Sequence, residues 1–280
     1  GTGKTPVVQW LCGHLRQLDR RVAIVSRGYG TTAGSPNDEA MELELSLPDV
    51  PHLQNPDRVQ AAQVAIEELE CDSVVLDDGF QHRRLARDLD IVLLDALEPF
   101  GYGHLLPRGL LREPLKNLRR AHWIGLSRAD QVDDETRAAI RATAQRHAPR
   151  CGWFEVMHRP RCWENSSRQT SELDEFRERP LVAFCGIGNP DGFRRSLDDL
   201  QLNVELFRVF ADHHGYTRDD IESLDEMAKT LDDPVFVCTR KDLVKIGVDR
   251  IGDHPLWSLQ IGIEFQKGED ELLEAVRAVL

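Results

Sequence analysis

The chain has no Cys-x-x-Cys pair. Its six cysteines stand singly at 12, 71, 151, 162, 185 and 238. That leaves out both a zinc-ribbon spacing and a redox dithiol, and favours ordinary reduced thiols. No apolar run approaches the ~18 residues that would cross a bilayer as a helix. Positive charge is outnumbered, with 35 Lys and Arg against 48 Asp and Glu. The formal net charge is −13, the wrong sign for the basic footprint of non-specific nucleic-acid binding, although a local basic patch stays open. No internal repeat is visible. What remains is an ordinary globular balance, 41% hydrophobic and 30% charged over 280 residues. That length suits one large or two modest domains.

The most informative stretch comes first. Gly1-Thr2-Gly3-Lys4-Thr5, followed by Pro6, is the second half of a phosphate-binding loop, whose full pattern is Gly, four residues, then Gly-Lys-Ser/Thr. Glycine lets backbone N–H groups face a phosphate. Lysine brings charge to the β- and γ-phosphates, and the threonine hydroxyl ligates Mg²⁺. The first glycine of the pattern and its feeding strand would precede residue 1, so Gly1 reads as a truncation point. Val7, Val8, Trp10, Leu11 and Leu15 form a helical stripe. A helix opening here aims its N-terminal dipole at a bound anion.

The next segments follow α/β grammar. Val22–Val25 reads as a strand ending at Ser26-Arg27-Gly28-Tyr29-Gly30. Loops at the carboxyl ends of parallel strands bind ligands, so Arg27 either faces the site or is a solvated turn arginine. Asn37-Asp38-Glu39 reads as a turn, and Met41–Leu45 alternates at strand period. Residues 56–69 read as an amphipathic helix that Asp57 helps to start. Val74-Val75-Leu76-Asp77-Asp78-Gly79-Phe80-Gln81-His82 is an apolar strand ending in paired carboxylates. Phosphate-loop enzymes place their Mg²⁺ carboxylate this way. Adjacent carboxylates repel, which favours either a cation between them or a raised pKa on one.

Residues 101–109 form a loop punctuated by glycine and proline, with Arg108, Arg112, Lys116, Arg119 and Arg120 in and after it. Apolar and basic content together suits an anionic amphiphile or a membrane face, or simply a solvated helix. Strands at 123–127 and 151–158 and a helix at 134–147 complete a first domain over residues 1–160. Residues 161–179 read as a linker and 180–280 as a smaller α/β domain. In that second domain Gly186–Pro190, Asp212-His213 and Thr239-Arg240-Lys241-Asp242 stand out. An aspartate beside an imidazole can orient it and make it a better proton acceptor, so Asp212-His213 is either an acid/base pair or plain loop.

Taken in order, these stretches resemble the tetraacyldisaccharide 4′-kinases of lipid A biosynthesis. The matching residues are Gly1–Pro6, Ser26–Gly30, Asp38-Glu39, Asp77–His82, Leu106–Gly109 with Leu111-Arg112-Glu113-Pro114, Gly186–Pro190, Asp212-His213 and Thr239–Asp242. The resemblance implies a P-loop NTPase-like three-layer α/β/α domain with a second, smaller α/β domain, and an active site in the cleft between them. It implies transfer of the ATP γ-phosphate, with Mg²⁺, to the 4′-hydroxyl of an acylated glucosamine disaccharide 1-phosphate. It further implies work at the cytosolic side of the inner membrane through an N-terminal hydrophobic helix. That helix is not among these residues, so this form would be peripheral.

Residue by residue, the resemblance gives Gly1, Thr2, Gly3, Lys4 and Thr5 to the nucleotide. Thr5 and Asp77 go to Mg²⁺, and Asp78 goes to phosphate positioning. Asp38 becomes the catalytic base with His213 as its partner, and Arg27, Gln81, Arg112 and Asn189 face the substrate. Two positions depart from the family pattern: Ala40 stands where proline is usual, and Arg240 where glutamate is usual. Two other readings share the α/β grammar. One is a phosphate-loop kinase or ligase for a soluble metabolite, which the apolar and basic loop disfavours. The other is a nucleotide-dependent switch, which needs no acid/base pair on its second domain.

Overall fold

The structure is a computed structural model in which residues 2–28 and 38–280 are described, 38 and 39 by backbone alone. Gly1 and the Tyr29–Gly30 end of the first ligand-side loop lie outside the described residues. The helices are α1 (Lys4–Gln17), α2 (Asp38–Ser46), α3 (Arg58–Glu67), α4 (Asp134–His147), α5 (Pro190–Asp199), α6 (Arg218–Ala228), α7 (Arg240–Ile246) and α8 (Glu269–Arg277). The strands are β1 (Val22–Ser26), β2 (His52–Gln54), β3 (Ser73–Leu76), β4 (Ile91–Asp95), β5 (Trp123–Ser127) and β6 (Gly152–Glu164). They continue with β7 (Thr170–Ser171), β8 (Leu181–Cys185), β9 (Val204–Val209), β10 (Val235–Thr239), β11 (Arg250–Ile251) and β12 (His254–Lys267). Parallel pairings dominate, giving the mixed α/β class.

The chain divides into two compact units that do not follow chain order. The first comprises Thr2–Tyr29, Leu47–His158 and Ile263–Leu280; the second comprises Gly30–Ser46 and Arg159–Gly262. The divisions at 158/159 and 262/263 fall inside β6 and β12, so each long strand contributes to both units. Residues 161–179, expected as a linker, are structured instead. β7 pairs back antiparallel onto β6 at Trp163↔Ser171. Trp163 is fully buried, and its indole N–H donates to the Leu173 carbonyl at 3.2 Å. One large buried aromatic outweighs the polar composition that suggested a linker.

In the first unit, β2-β1-β3 form a parallel sheet. Val22, Ala23, Ile24 and Val25 are all buried, which suits a central parallel strand covered on both faces. β4, β5 and β6 run parallel beside one another. The closing helix α8 belongs here. Its Leu272 is fully buried in a cluster with Val7, Phe154, Val156 and Ile263, a burial worth about 2 kcal/mol.

In the second unit, β12, β10, β8 and β9 are neighbours. Leu181, Ala183 and Cys185 of β8 enter one core cluster, and Val182 and Phe184 enter another. Both faces of the sheet are therefore covered. The alternating Met41–Leu45 stretch, expected as a strand, is part of α2. Ala40 and Leu43 are buried within it and Leu47 just past its end, and that spacing is helical. Alanine, methionine, leucine and glutamate are also strong helix formers. The alternation is local, and the helical stripe wins once its flanking residues are counted.

Candidate active site

Helix α1 opens directly from the phosphate-loop residues. Its N-cap is Gly3 at φ 75° and ψ 28°, and no side chain caps it. The first-turn N–H groups are therefore left for an anion. The loop is held from behind by residues of two strands, the end of β5 and the middle of β6. Buried Ser127, the last residue of β5, donates its hydroxyl to the Thr2 carbonyl at 2.7 Å. A Cβ on Gly3 would meet His158 Nε2 at 2.5 Å. Burial, then Arg128, pushes the His158 pKa down, so a neutral imidazole backs the loop. Its Nε2 is buried with no hydrogen-bond partner among the described residues.

Gly3→Ala is expected to weaken ATP binding at least tenfold. A left-handed non-glycine residue costs about 1–2 kcal/mol, and the new methyl must also displace His158. His158→Ala in that background relieves the contact but not the backbone cost. An ATP titration of the two variants checks this, and wild-type affinity in Gly3→Ala would show the loop conformation to be dispensable.

The acid pair sits one residue beyond β3. The Asp77 N–H donates to the Val25 carbonyl at 2.9 Å, extending the pairing of β3 with β1. Asp78 then turns left-handed at φ 50°, a conformation aspartate tolerates better than most residues. Its carboxylate is held on both oxygens. Lys4 Nζ lies 3.0 Å from Oδ1, and an Arg112 guanidinium nitrogen lies 2.6 Å from Oδ2. Burial alone would raise this carboxyl's pKa, but Lys4 and Arg112 outweigh it and hold Asp78 below the usual carboxylate range. The phosphate loop, the acid pair and the segment after the apolar loop thus meet at one carboxylate.

Arg58 joins them, and nothing in the motifs singled it out. It is the first residue of α3, whose N-cap Asp57 accepts from Val59 N–H at 3.1 Å. Arg58 is 6% exposed. Burial lowers its pKa first of all, Asp78 and Asp77 pull it back up, and Arg27 pushes it down. Its Nε has no hydrogen-bond partner among the described residues. A cation in the first turn of a helix opposes the helix dipole, and that mismatch was the available signal. His82 belongs to the same electrostatic neighbourhood. Its pKa is lowered by burial, then by Arg58, Arg84 and Arg87. Arg27 and Gln81 are exposed in the same unit.

The remaining expected residues lie in the second unit. Asp38 opens α2, and its side chain is outside the description. His213 is exposed at φ 60°, with Nε2 3.9 Å from the Asp212 carboxylate. Its N–H donates to the Gly186 carbonyl at 3.2 Å. The Gly186 N–H in turn donates to buried Asp242, which also accepts from Tyr216 at 2.9 Å and Thr239 at 2.5 Å. The Gly186–Pro190 and Thr239–Asp242 stretches are therefore knitted together beneath the His213 turn. Asn189 caps α5, accepting from the Gly192 N–H at 3.1 Å. The departing residue Arg240 has its own partners, Glu164 at 3.1 Å and Gln260 at 2.6 Å.

Among the described residues no three His, Cys, Asp or Glu side chains gather as a metal cage. Mg²⁺ asks for less, one or two carboxylates completed by waters and phosphate oxygens. The Asp77 carboxylate and the Thr5 hydroxyl are groups of the kind that requirement names, whereas both Asp78 oxygens are taken by Lys4 and Arg112.

The chain is similar to known proteins of one family. The chain is 38% identical over 297 residues to a tetraacyldisaccharide 4′-kinase of Anaeromyxobacter sp. strain Fw109-5, covering 100% of this chain and 80% of that protein. It is 33% identical over 308 residues to the one from Halothermothrix orenii, covering 99% and 80%. Among solved structures it is similar to LpxK from Aquifex aeolicus, described as an "apo" form in complex with ATP. The TM-score is 0.77 at 28% identity, over 100% of this chain and 84% of that one. The family model for tetraacyldisaccharide-1-P 4′-kinase matches residues 1–280. Matched by the family model over its whole length and by relatives at this identity, this chain belongs to the tetraacyldisaccharide-1-P 4′-kinase family.

Proposed function

We infer that this chain performs the reaction of its family, ATP-dependent phosphorylation of the 4′-hydroxyl of tetraacyldisaccharide 1-phosphate in lipid A biosynthesis. The carrying observation is Asp78, clasped by Lys4 of the phosphate loop and by Arg112. Phosphoryl transfer needs mainly positioning and charge neutralisation, and this cluster supplies charges of both signs on a firm backbone.

In the reaction the backbone of Thr2–Lys4 and the α1 N-terminus hold the phosphates, and the Lys4 ammonium neutralises charge between β and γ. Thr5 and Asp77 would hold Mg²⁺, which would supply further neutralisation when bound. Asp78 keeps Lys4 and Arg112 aimed at the transfer. Arg27, Gln81, Arg112 and Asn189 bind the sugar substrate. Asp38, partnered by His213, accepts the proton of the 4′-hydroxyl as its oxygen bonds to the γ-phosphorus. The bond from γ-phosphorus to the bridging oxygen breaks, and ADP leaves. The acylated substrate sets the place of work at the cytosolic face of the inner membrane. No helix among the described residues is long and apolar enough to cross a membrane.

Arg58 is given a role here. It feels the charges of Asp78, Asp77 and Arg27, and its own charge helps keep the adjacent carboxylates compatible with one another. Removing this cation leaves the adjacent carboxylates with less opposing charge. Arg58→Met is therefore expected to lower turnover about tenfold or more. Arg58→Lys restores the charge without the planar fork and recovers part of it. Steady-state assays of both variants decide; full activity in Arg58→Met would remove it from the site. A cheaper test of the reaction class compares ATP consumption with acylated disaccharide 1-phosphate and with a soluble sugar. The account expects stimulation by the lipid alone.

A further inference from the structure

We propose that the loop between β4 and β5 is a membrane-docking wedge, in which Tyr102, Leu106 and Leu110 enter the interface of an anionic bilayer. The proposal rests on the lipid-kinase reading above and names the surface that brings the enzyme to its substrate. Eleven large hydrophobic residues are exposed among the described residues, and five of them, Leu97, Tyr102, Leu105, Leu106 and Leu110, fall within this one connection. A single exposed leucine needs no explanation, but a concentration of them marks an interaction surface. Tyr102, Leu106 and Leu110 are 70%, 59% and 58% exposed.

The loop cannot hide them by collapsing. Its interior is filled by its own backbone. Leu106 N–H donates to Leu111 O at 2.9 Å, Gly109 N–H to Leu105 O at 3.0 Å, and Leu110 N–H to Gly101 O at 3.1 Å. Tyr102 N–H donates to the Glu98 carboxylate at 2.8 Å. At Gly101 a Cβ would meet the Leu111 nitrogen at 2.7 Å, so there is no room inside even for a methyl group. The apolar side chains are held outward by a closed set of hydrogen bonds.

Charge selects the occupant. In a chain of net charge −13, residues 101–120 carry five Arg or Lys against one carboxylate, Glu113. Glu113 is paired with Arg120, and Arg112 is paired with Asp78. Arg108, Lys116 and Arg119 are exposed and have no ion-pair partner among the described residues. Apolar side chains that insert, flanked by free cations, fit a surface of anionic lipid headgroups over acyl chains. Arg112 ties the end of this segment to Asp78. A docked loop therefore brings the acid pair to the level of the headgroups.

The test uses vesicles without substrate or ATP, so it does not depend on the kinase reading. Wild-type protein is sedimented with phosphatidylcholine vesicles, with and without phosphatidylglycerol. Binding is expected with phosphatidylglycerol and to weaken in high salt. The triple variant Tyr102→Ser, Leu106→Ser, Leu110→Ser is expected to lose about tenfold or more in partitioning. Its melting temperature and its rate on substrate dispersed in detergent stay at wild-type levels. Leu106→Trp supplies a reading without loss of apolar surface: its emission shifts to the blue on adding phosphatidylglycerol vesicles. Unchanged binding by the triple variant, or no shift in Leu106→Trp, overturns the proposal. So does a loss of detergent-phase activity matching the loss of binding, which would make the loop an acyl-chain pocket. A wild-type dimer that the triple variant dissolves would assign the surface to a second copy and also overturn it. If wild-type protein binds vesicles through this loop but phosphorylates no lipid, the kinase reading fails and the wedge stands.

Discussion

Lys4→Met is expected to cut lipid phosphorylation by about 10²–10³, the range found when one preorganised charge or donor is removed from a transition-state site. The loss should fall mainly on kcat, because charge on the transferring phosphoryl and its leaving oxygen develops as the reaction proceeds. The variant should remain folded. The Lys4–Asp78 ion pair is partly solvated, with 33% and 46% of the two side chains exposed. Pairs of this kind contribute about 0–1 kcal/mol to stability, whereas the expected rate loss corresponds to about 2.7–4 kcal/mol. A melting curve close to wild type together with near-zero turnover is thus the signature. Lys4→Arg is not expected to rescue, since a planar fork does not replace a compact ammonium. Near-wild-type turnover in Lys4→Met would take the loop out of the mechanism.

The second large effect is on the proton. Asp38→Asn is expected to lower kcat by about 10²–10⁴, the usual worth of a positioned base, and to leave ATP affinity close to wild type. His213→Ala should cost less, since a partner orients the base without accepting the proton from substrate. The pH profile separates the two carboxylates. Lys4 and Arg112 hold the Asp78 pKa below the ordinary range. Its ionised form, and the stability that goes with it, is therefore complete above the unfolded carboxylate pKa and is lost only as pH falls through the lowered value. An acid limb of kcat nearer neutrality therefore belongs to another group. If that limb survives unchanged in Asp38→Asn, Asp38 is not the base.

Much of this was readable from local stretches of chain. A phosphate loop announces itself within five residues, and Asp77-Asp78 follow an apolar strand directly, so both parts needed no knowledge of distant packing. Helix α3 with its Asp57 cap and helix α4 were readable for the same reason, as their start and stop signals are local. Arg58 was not, because its importance comes from facing Asp78, Asp77 and Arg27 across sequence gaps of tens of residues. Helix α2 was misread because Met41–Leu45 alternates within a window too short to include Ala40 and Leu47. The fate of residues 161–179 turned on burial of Trp163 by chain that comes later, and α8 joins a unit begun more than two hundred residues earlier. Composition carries neither fact.

The central claim is that Lys4 and Asp78 act as one device on the transferring phosphate. It is tested most directly by following labelled γ-phosphate from ATP into the lipid in a double-mutant cycle of Lys4→Met and Asp78→Asn. Asparagine tolerates the left-handed backbone at 78, so the cycle isolates the charge. The account predicts labelled lipid with the wild-type protein, a large loss in each single variant, and a double variant scarcely worse than the poorer single. Losses that simply add, or label that never reaches the lipid with the wild-type protein, would contradict it.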